Sequence, residues 1–260
     1  MNYLVIPAYE PDYNLIKLIE KIHNRSDFYI IVIDDGSSAE FQDIFTQVAD
    51  YATVLRHQIN QGKGQALRTA FEYIQSLNKS GTVVTADSDD QHRIWDIFRN
   101  MAKSNENPNT LVLGVRAFTG RVPLRSRFGN SLTRILFKLQ TGVAVSDTQT
   151  GLRAFSTDMI SFMLKIEGQR YEYEMNMLLE ASQAYPILEV PIETVYINDN
   201  AASHFRPVRD GLMIYKNILK FSLSSFSSFI VDYVVYALFI LCLSFIPSRE
   251  IGRASCRERV

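Results

Sequence analysis

The feature that most constrains the fold of this chain is the alternation, through its first half, of short apolar runs with longer segments of helical pattern. The apolar runs are rich in β-branched residues, which favour strands. They lie at 3–6, 28–33, 53–55, 82–85 and 110–115, and the helical patterns between them lie at 13–24, 40–51, 64–77 and 94–103. This order predicts an α/β fold, in which helices cover both faces of a mostly parallel sheet.

The second half of the chain is less regular. Helical patterns lie at 126–139, 157–164 and 171–184, and strand patterns lie at 187–190 and 193–196. We predict one domain over residues 1–205, followed by an amphipathic juxtamembrane helix over 206–220. The pattern of that helix suits both a membrane interface and a helix that covers a protein core.

An apolar stretch follows near the C-terminus, where residues 229–246 contain a single charged residue, Asp232. Together with 221–228, the stretch is long enough to cross a bilayer, which takes about 20 apolar residues. The alternative is a buried helix of a soluble domain. We predict a transmembrane segment over 221–248. Residues 251–260 do not fit the chain before them and are predicted to be a non-native tail.

Charge and cysteine content exclude several classes of protein. The chain has 27 Lys and Arg against 28 Asp and Glu, a formal net charge of -1, so it lacks the basic field that attracts nucleic acid. Its two cysteines, Cys242 and Cys256, lie in the apolar stretch and the tail, which excludes a disulfide framework in the main domain. The N-terminus has no secretory signal pattern, so we expect the main domain to be cytoplasmic.

Polar residues follow four of the predicted strands, at 7–12, 34–37, 60–64 and 87–91. Ligands of parallel sheets bind beyond the carboxyl ends of the strands. The four groups are therefore predicted to converge on one edge of the sheet. Taken singly, 34–37 also fits a plain turn, and 60–64 also fits a capped helix start, since it lacks the spacing of a P-loop.

The densest of these groups contains Asp87, Asp89 and Gln91 at alternate positions. In extended chain such residues project to one face, where their oxygens can reach one cation. Mg²⁺ or Mn²⁺ held by one or two carboxylates keeps positions open for substrate phosphates. The group is thus predicted to be half of a metal–diphosphate site. The alternative is an acidic turn whose aspartate caps the next helix.

Taken together, the motifs resemble glycosyltransferase family 2 enzymes of the GT-A fold, specifically the polyprenyl-phosphate sugar transferases of the dolichol-phosphate mannose synthase type. The resemblance covers about residues 3 to 220. It rests on the order and spacing of six segments. These are Ile6-Pro7-Ala8-Tyr9-Glu10, Asp34-Asp35-Gly36-Ser37, Asn60-Gln61-Gly62-Lys63-Gly64, Asp87-Ser88-Asp89-Asp90-Gln91-His92, Asp147-Thr148-Gln149-Thr150-Gly151-Leu152-Arg153 and Ser203-His204-Phe205-Arg206-Pro207-Val208-Arg209-Asp210-Gly211.

The resemblance implies an inverting transfer of a hexose from a UDP- or GDP-linked sugar to a polyprenyl phosphate, for cell-envelope or surface glycans, by a catalytic domain on the cytoplasmic side of a membrane. It also implies the roles of individual residues. The nucleotide would be bound by Pro7, Ala8, Tyr9, Glu10, Asp34, Asp35, Lys63, Asp87 and Ser88. Mg²⁺ or Mn²⁺ would be bound by Asp87, Asp89 and Gln91. Catalytic roles fall to Asp89, Arg116 and Arg127.

Arginine suits phosphate oxygens because its guanidinium is a fixed, charged fork. Each arginine taken alone also fits a solvated surface position. By the resemblance, the acceptor or phosphate ligands are Arg116, Arg127, Arg153, Arg206 and Arg209. The segment 221–248 further resembles the first helix of a fused, flippase-like membrane domain.

Two alternatives remain open for the function. A family member that glycosylates a saccharide or protein hydroxyl would need a general base, for which Glu174 is a weak candidate because Tyr171-Glu172-Tyr173-Glu174 also suits an ordinary helix start. A lipid phosphate, with its second pKa near about 6, would need none. The other alternative is a non-catalytic membrane module that binds nucleotide sugars. The donor's sugar, the donor's nucleobase and the oligomeric state do not follow from the sequence.

Overall fold

The computed structural model describes residues 1–89, 92–116, 124–193 and 226–241, with the side chains of 124–132 excepted. The chain divides into two units, Met1–Ile214 and Tyr215–Val260. The predicted juxtamembrane helix 206–220 and the tail 251–260 lie outside the described residues.

A seven-stranded sheet forms the centre of the first unit within the described residues, in the order β3-β2-β1-β4-β6-β5-β7. The strands are β1 Asn2–Ala8, β2 Phe28–Asp34, β3 Thr53–Arg56, β4 Thr82–Thr85, β5 Leu111–Arg116, β6 Arg153–Ser156 and β7 Ile187–Ile192. Strand β6 is antiparallel to both β4 and β5, whereas the other pairings are parallel. The carboxyl ends of the remaining strands therefore share one edge.

Helices connect these strands, as the alternation in the sequence predicts. They are α1 Asn14–His23, α2 Gln42–Val48, α3 Lys63–Ser76, α4 Ile94–Glu106, α5 Leu124–Thr141, α6 Ile160–Met163 and α7 Glu172–Ala184. Short 3-10 turns at Ala39–Phe41 and Thr157–Met159 lead into α2 and α6. A further helix, α8, covers 226–241 in the second unit.

The core lies between the sheet and its helices. Strand β1 buries Leu4 and Ile6, and α1 turns Leu15, Ile19 and Ile22 toward the same core. Their spacing places the three α1 residues on one stripe of the helix. Burial of each such side chain contributes about 1.5–3 kcal/mol, which holds the strands in the register that aligns their carboxyl ends.

Strand β6 was not among the predicted strands. It is four residues long, begins with Arg153 and is held by neighbours distant in sequence, with Thr82 opposite Ser156 and Val112 opposite Ala154. Such a strand is fixed by its pairing more than by its own residue preferences. At the other side, β7 continues to Ile192, so the predicted break between strands 187–190 and 193–196 was misplaced. The rest of the second prediction, 194–196, lies outside the described residues.

Helix α8 lies inside the predicted transmembrane segment 221–248, and each of its residues is exposed. Among the described residues, no helix has both the length and the apolar character needed to cross a bilayer. The predicted transmembrane helix is therefore not confirmed.

Candidate active site

The carboxyl ends of β1, β2 and β4 bring the predicted polar loops together. Ala8, the last residue of β1, lies opposite Asp34, the last residue of β2, and accepts a hydrogen bond of 2.9 Å from the backbone N–H of Asp35. The loop after β4 joins the same edge, because the N–H of Ala86 donates to the carbonyl of Val5 at 3.0 Å. Residues from three loops thus meet within a few ångströms of one sheet edge.

Asp35 is buried, and both of its carboxylate oxygens accept hydrogen bonds from the protein. Oδ1 accepts from the N–H of Gln61 at 2.9 Å and lies 2.7 Å from His57 Nδ1, while Oδ2 accepts from the N–H of Gly62 at 2.8 Å. We call these residues the Asp35 cluster. His57 reaches on to Thr69 Oγ1 in α3, at 2.9 Å from Nε2. The cluster fixes the loop that leads into α3.

Asp34 is fully buried and shapes the turn after β2. Its Oδ1 accepts from the N–H of Ser37 at 2.8 Å, and its Oδ2 lies 3.2 Å from Gln42 Nε2 and 3.3 Å from Arg56 Nε. In turn, the hydroxyl of Ser37 accepts from the N–H of Glu10 at 2.9 Å, where Glu10 has a φ of 48°. The loop after β1 is thereby tied to the loop after β2.

The remaining residues that are predicted to bind the nucleotide in the first loop lie at the same edge of the sheet. Pro7 and Ala8 are the buried last residues of β1, opposite Ile33 and Asp34. Tyr9 and Glu10 follow and are half-buried. These two residues are more accessible than the strand residues before them.

Lys63, the first residue of α3, bridges two carboxylates at the centre of the site. Its Nζ lies 2.7 Å from Asp87 Oδ1 and 2.8 Å from Glu174 Oε2. Asp87 comes just after β4, and Glu174 lies in the first turn of α7. These three residues, which we call the Lys63 cluster, join segments that are far apart in the chain.

The pKa values of Lys63 and Asp87 depend on the charges of their neighbours. Burial acts to lower the pKa of Lys63, but the carboxylates of Asp87 and then Glu174 outweigh it and raise that pKa above its ordinary value. Burial likewise acts to raise the pKa of Asp87, yet the Lys63 ammonium and then His92 hold it well below its usual range. At neutral pH, Lys63 is therefore an ammonium and Asp87 a carboxylate.

The segment from Asp147 to Arg153, which we call the floor of the site, packs against Asp87 through Gly151. Gly151 lies so close that a Cβ there would be 2.5 Å from Asp87 Oδ1, and its carbonyl accepts from Thr85 Oγ1 at 2.8 Å. Glycine is required at this position because any other side chain would displace the carboxylate.

Of the predicted phosphate-binding arginines, Arg116 contacts this segment and Arg153 is its last residue. Arg116 ends β5 and donates from Nε and Nη2 to the buried carboxylate of Asp147, at 2.6 and 3.0 Å. Arg153 is 1% exposed and donates to the backbone carbonyls of Thr150 at 3.1 Å and Glu174 at 2.6 Å. In this structure Arg153 thus ties the start of β6 to the start of α7, and Arg116 is the better exposed of the two.

Other predicted site residues are placed less fully. Ser88 and Asp89 are half-buried beyond Asp87. Arg127 lies in α5, where its side chain is not described, and outside the described residues lie Gln91, Arg206 and Arg209.

Three residues of the site were missed or given little weight in the sequence. Glu174 belongs to the Lys63 cluster and His57 to the Asp35 cluster. His92, which in the sequence is only the last residue of one motif, is buried with Nε2 3.4 Å from Asp87 Oδ2. Two of the three carried a local signal: Glu174 ends a Tyr-Glu-Tyr-Glu run, and His92 lies five residues after Asp87.

The donor chemistry of this edge fits a hard divalent cation that is shared with a substrate. Within the described ranges, no group of three or more His, Cys, Asp or Glu side chains is placed to hold a metal. Asp87 and Asp89 do supply carboxylate oxygens, and Mg²⁺ or Mn²⁺ is commonly bound by one or two carboxylates, with substrate phosphates completing the shell. The residues fit such a shared site better than a closed protein cage.

Residues 3–163 match the model of glycosyl transferase family 2, and the chain belongs to this family. It is 27% identical over 215 residues to the UDP-N-acetylglucosamine–dolichyl-phosphate N-acetylglucosaminyltransferase of Methanococcus voltae. The aligned region covers 75% of this chain and 85% of that relative. It is 28% identical over 216 residues to the undecaprenyl-phosphate 4-deoxy-4-formamido-L-arabinose transferase of Pseudomonas fluorescens. That aligned region covers 79% of this chain and 60% of the longer relative.

The fold is also that of a solved structure, the glucosyl-3-phosphoglycerate synthase of Mycobacterium tuberculosis in complex with Mn²⁺, UDP and glucosyl-3-phosphoglycerate. The two superpose with a TM-score of 0.62 at 18% identity, over 86% of this chain and 79% of the other. The predicted family and the predicted GT-A fold are confirmed. The fused flippase-like domain is not.

Proposed function

We propose that this chain is a metal-dependent, inverting transferase that moves a hexose from a UDP- or GDP-linked sugar to a polyprenyl phosphate. The observation that carries the proposal is the Lys63 cluster, in which a cation and two carboxylates meet at the carboxyl edge of the sheet. Two relatives named for transfer to dolichyl and undecaprenyl phosphate support the choice of acceptor.

The nucleotide is proposed to lie along the loops after β1 and β2. Tyr9 and Glu10 are half-buried there, while the buried carboxylates of Asp34 and Asp35 accept hydrogen bonds from the adjoining turns. Because the oxygens of Asp35 accept bonds from backbone amides, Asp35 acts on the nucleotide mainly by fixing the shape of the loop. This arrangement presets the pocket before the donor arrives.

Asp87 and Asp89, together with Gln91, would hold Mg²⁺ or Mn²⁺. The cation would neutralise the charge that grows on the nucleoside diphosphate as it leaves. The Mn²⁺ and UDP of the mycobacterial synthase structure support this choice. The chain's own part is to orient Asp87, which is in contact with Lys63, His92 and Gly151.

A polyprenyl phosphate is already a nucleophile at neutral pH, because a phosphate monoester has its second pKa near about 6. A hydroxyl acceptor would need a base, and Glu174, the sequence candidate, is instead ion-paired to Lys63 at 2.8 Å. The ammonium thereby occupies one of the two carboxylate oxygens of Glu174. The geometry therefore favours the phosphate acceptor, for which Arg116 and Arg127 are the proposed ligands, with Arg206 and Arg209 nearer the membrane.

A membrane location accompanies this acceptor. The exposed surface of α8 is built of large apolar side chains, among them Phe229, Val235 and Phe239. Exposed apolar surface of this kind is stabilised by lipid. We propose that this part of the chain associates with the membrane and that the catalytic domain faces the cytoplasm.

The test is to incubate membranes containing the protein with a radiolabelled nucleotide sugar, Mg²⁺ or Mn²⁺ and polyprenyl phosphate. We expect label in a product that extracts into organic solvent and is released by mild acid. Asp89→Ala and EDTA are expected to abolish it, while the exposed control Asp50→Ala is not. Label that stays in a saccharide or protein would indicate a hydroxyl acceptor. Donor binding without turnover would indicate a non-catalytic module.

A further inference from the structure

Both oxygens of Asp87 are already engaged by the protein. Lys63 Nζ lies 2.7 Å from Oδ1, His92 Nε2 lies 3.4 Å from Oδ2, and the backbone of Gly151 packs against the carboxyl group. The ammonium thus occupies Oδ1, one of the two Asp87 oxygens that could serve a metal ion. A divalent cation and Lys63 therefore compete for one carboxylate.

We propose that Lys63 is an internal counter-cation, which makes the divalent cation and the nucleotide diphosphate bind together. The ammonium neutralises Asp87 while no donor is present. When cation and diphosphate arrive together, the ammonium leaves Oδ1 and pairs with the diphosphate, and Glu174 keeps it close by. This inference rests on the proposed function and assigns Lys63 a positioning role in it.

The physical basis is charge repulsion at short range. Two cations on one carboxylate repel each other, and the repulsion is strong where water is partly excluded, as it is for the Lys63 side chain at 19% exposure. A diphosphate supplies the negative charge that both cations need. The flexible lysine stem, at the first residue of α3, allows the ammonium to move without a change in the helix.

A coupling between two ligands has a reciprocal signature. If Lys63 opposes the cation until the diphosphate arrives, then UDP tightens Mn²⁺ binding and Mn²⁺ tightens UDP binding by the same factor. If Lys63 serves only to hold α3 and α7 together through its ion pair with Glu174, its removal weakens Mn²⁺ binding with and without the nucleotide. The two roles thus predict opposite signs for one substitution.

The experiment titrates Mn²⁺ into the full chain and follows the free ion by electron paramagnetic resonance, alone and with UDP or GDP. Wild type is expected to bind Mn²⁺ at least about tenfold more tightly with its nucleotide. In Lys63→Met, Mn²⁺ alone is expected to bind about tenfold more tightly than in wild type, and the coupling factor is expected to fall toward one. The control Lys103→Met removes an exposed lysine paired to Glu106 and is expected to behave as wild type.

Lys63→Met leaves Asp87 and Glu174 without their shared cation, which could prevent folding. A second variant therefore removes one of the two negative charges as well. Lys63→Met/Glu174→Gln keeps the net charge of the site and frees Asp87, and it too must gain affinity for Mn²⁺ alone. Unchanged or weaker Mn²⁺ binding in the folded variants overturns the role of Lys63. If wild type still forms the labelled lipid in that case, the proposed function stands. If wild type neither binds Mn²⁺ with either nucleotide nor transfers sugar, both proposals fall.

Discussion

The parallel strands β2 and β4 lie on either side of β1, and each is followed by an aspartate, but the two carboxylates have different kinds of partner. Asp35, after β2, accepts hydrogen bonds from the backbone amides of Gln61 and Gly62. Asp87, after β4, is held by the movable ammonium of Lys63. A carboxylate bound by backbone amides cannot change partners unless the loop moves, whereas one bound by a lysine can. The site thus has a fixed side at the Asp35 cluster and an exchangeable side at the Lys63 cluster.

The largest effect on activity is expected at the exchangeable side. Asp87→Asn keeps the size of the side chain but removes the charge that would bind the cation, so transfer is expected to fall by at least about a hundredfold. Thermal unfolding should still be cooperative. Initial rates of labelled-lipid formation provide the measurement, with Asp50→Asn as an exposed control. Activity within a few-fold of wild type would remove Asp87 from the mechanism and with it the contrast between the two sides.

A substitution at the fixed side is expected to lower the stability of the protein. Asp35→Asn places an amide NH₂ or a single carbonyl where three donors now converge, leaving buried donors unsatisfied. We expect a loss of about 2–4 kcal/mol in the free energy of unfolding, measured by urea denaturation. KM for the donor should rise more than kcat falls, because the loop is displaced and the chemical groups are not. A stable variant with lost kcat would place Asp35 on the exchangeable side.

Gly151→Ala tests how closely the floor is fitted to Asp87. The added Cβ would lie 2.5 Å from Asp87 Oδ1, so the carboxylate must shift, and activity is expected to fall about tenfold to a hundredfold. Gly142→Ala is the matched control: a Cβ there meets nothing within 4 Å, but φ is 74°. It should cost about 1–2 kcal/mol of stability and no activity. Equal activity losses in the two variants would show that the contact with Asp87 is unimportant.

The smallest expected effect is at the outer end of the Asp35 cluster. Thr69→Val removes the hydroxyl that lies 2.9 Å from His57 Nε2 and keeps the shape of the side chain. A loss of about 1 kcal/mol in unfolding free energy is expected, with a slight rise in the donor KM. Rescue by Thr69→Ser would assign the effect to the hydroxyl. No change in either quantity would show that His57 holds Asp35 without help from α3.

The sequence predicts the parts of this molecule that local residue preference determines. Strand β4, Thr82–Thr85, was placed at its observed bounds because it is β-branched and followed by acids. Strand β6 begins with an arginine, and only its pairing with β4 and β5 makes it a strand. Preferences of single residues carry no information about such pairing.

The site divides in the same way. The acids after β2 and β4 were predicted from their position, since parallel strands bring their ends together. The partners of those acids were not, because Lys63 is 24 residues from Asp87 and Gln61 is 26 residues from Asp35. Lysine in a glycine-rich loop fits a phosphate ligand and a carboxylate partner equally well. Only the three-dimensional arrangement distinguishes the two.

The reversed direction of β6 has a consequence for how such an enzyme can change its substrate. A strand that runs against its neighbours enters the sheet at the edge where they leave it, so the residues just before Arg153 are delivered to the same place as those just after Thr85. Gly151 reaches Asp87 for this reason. Insertions or exchanges in the segment ahead of β6 would therefore remodel the floor of the site, while the register of every strand pair stays as it is.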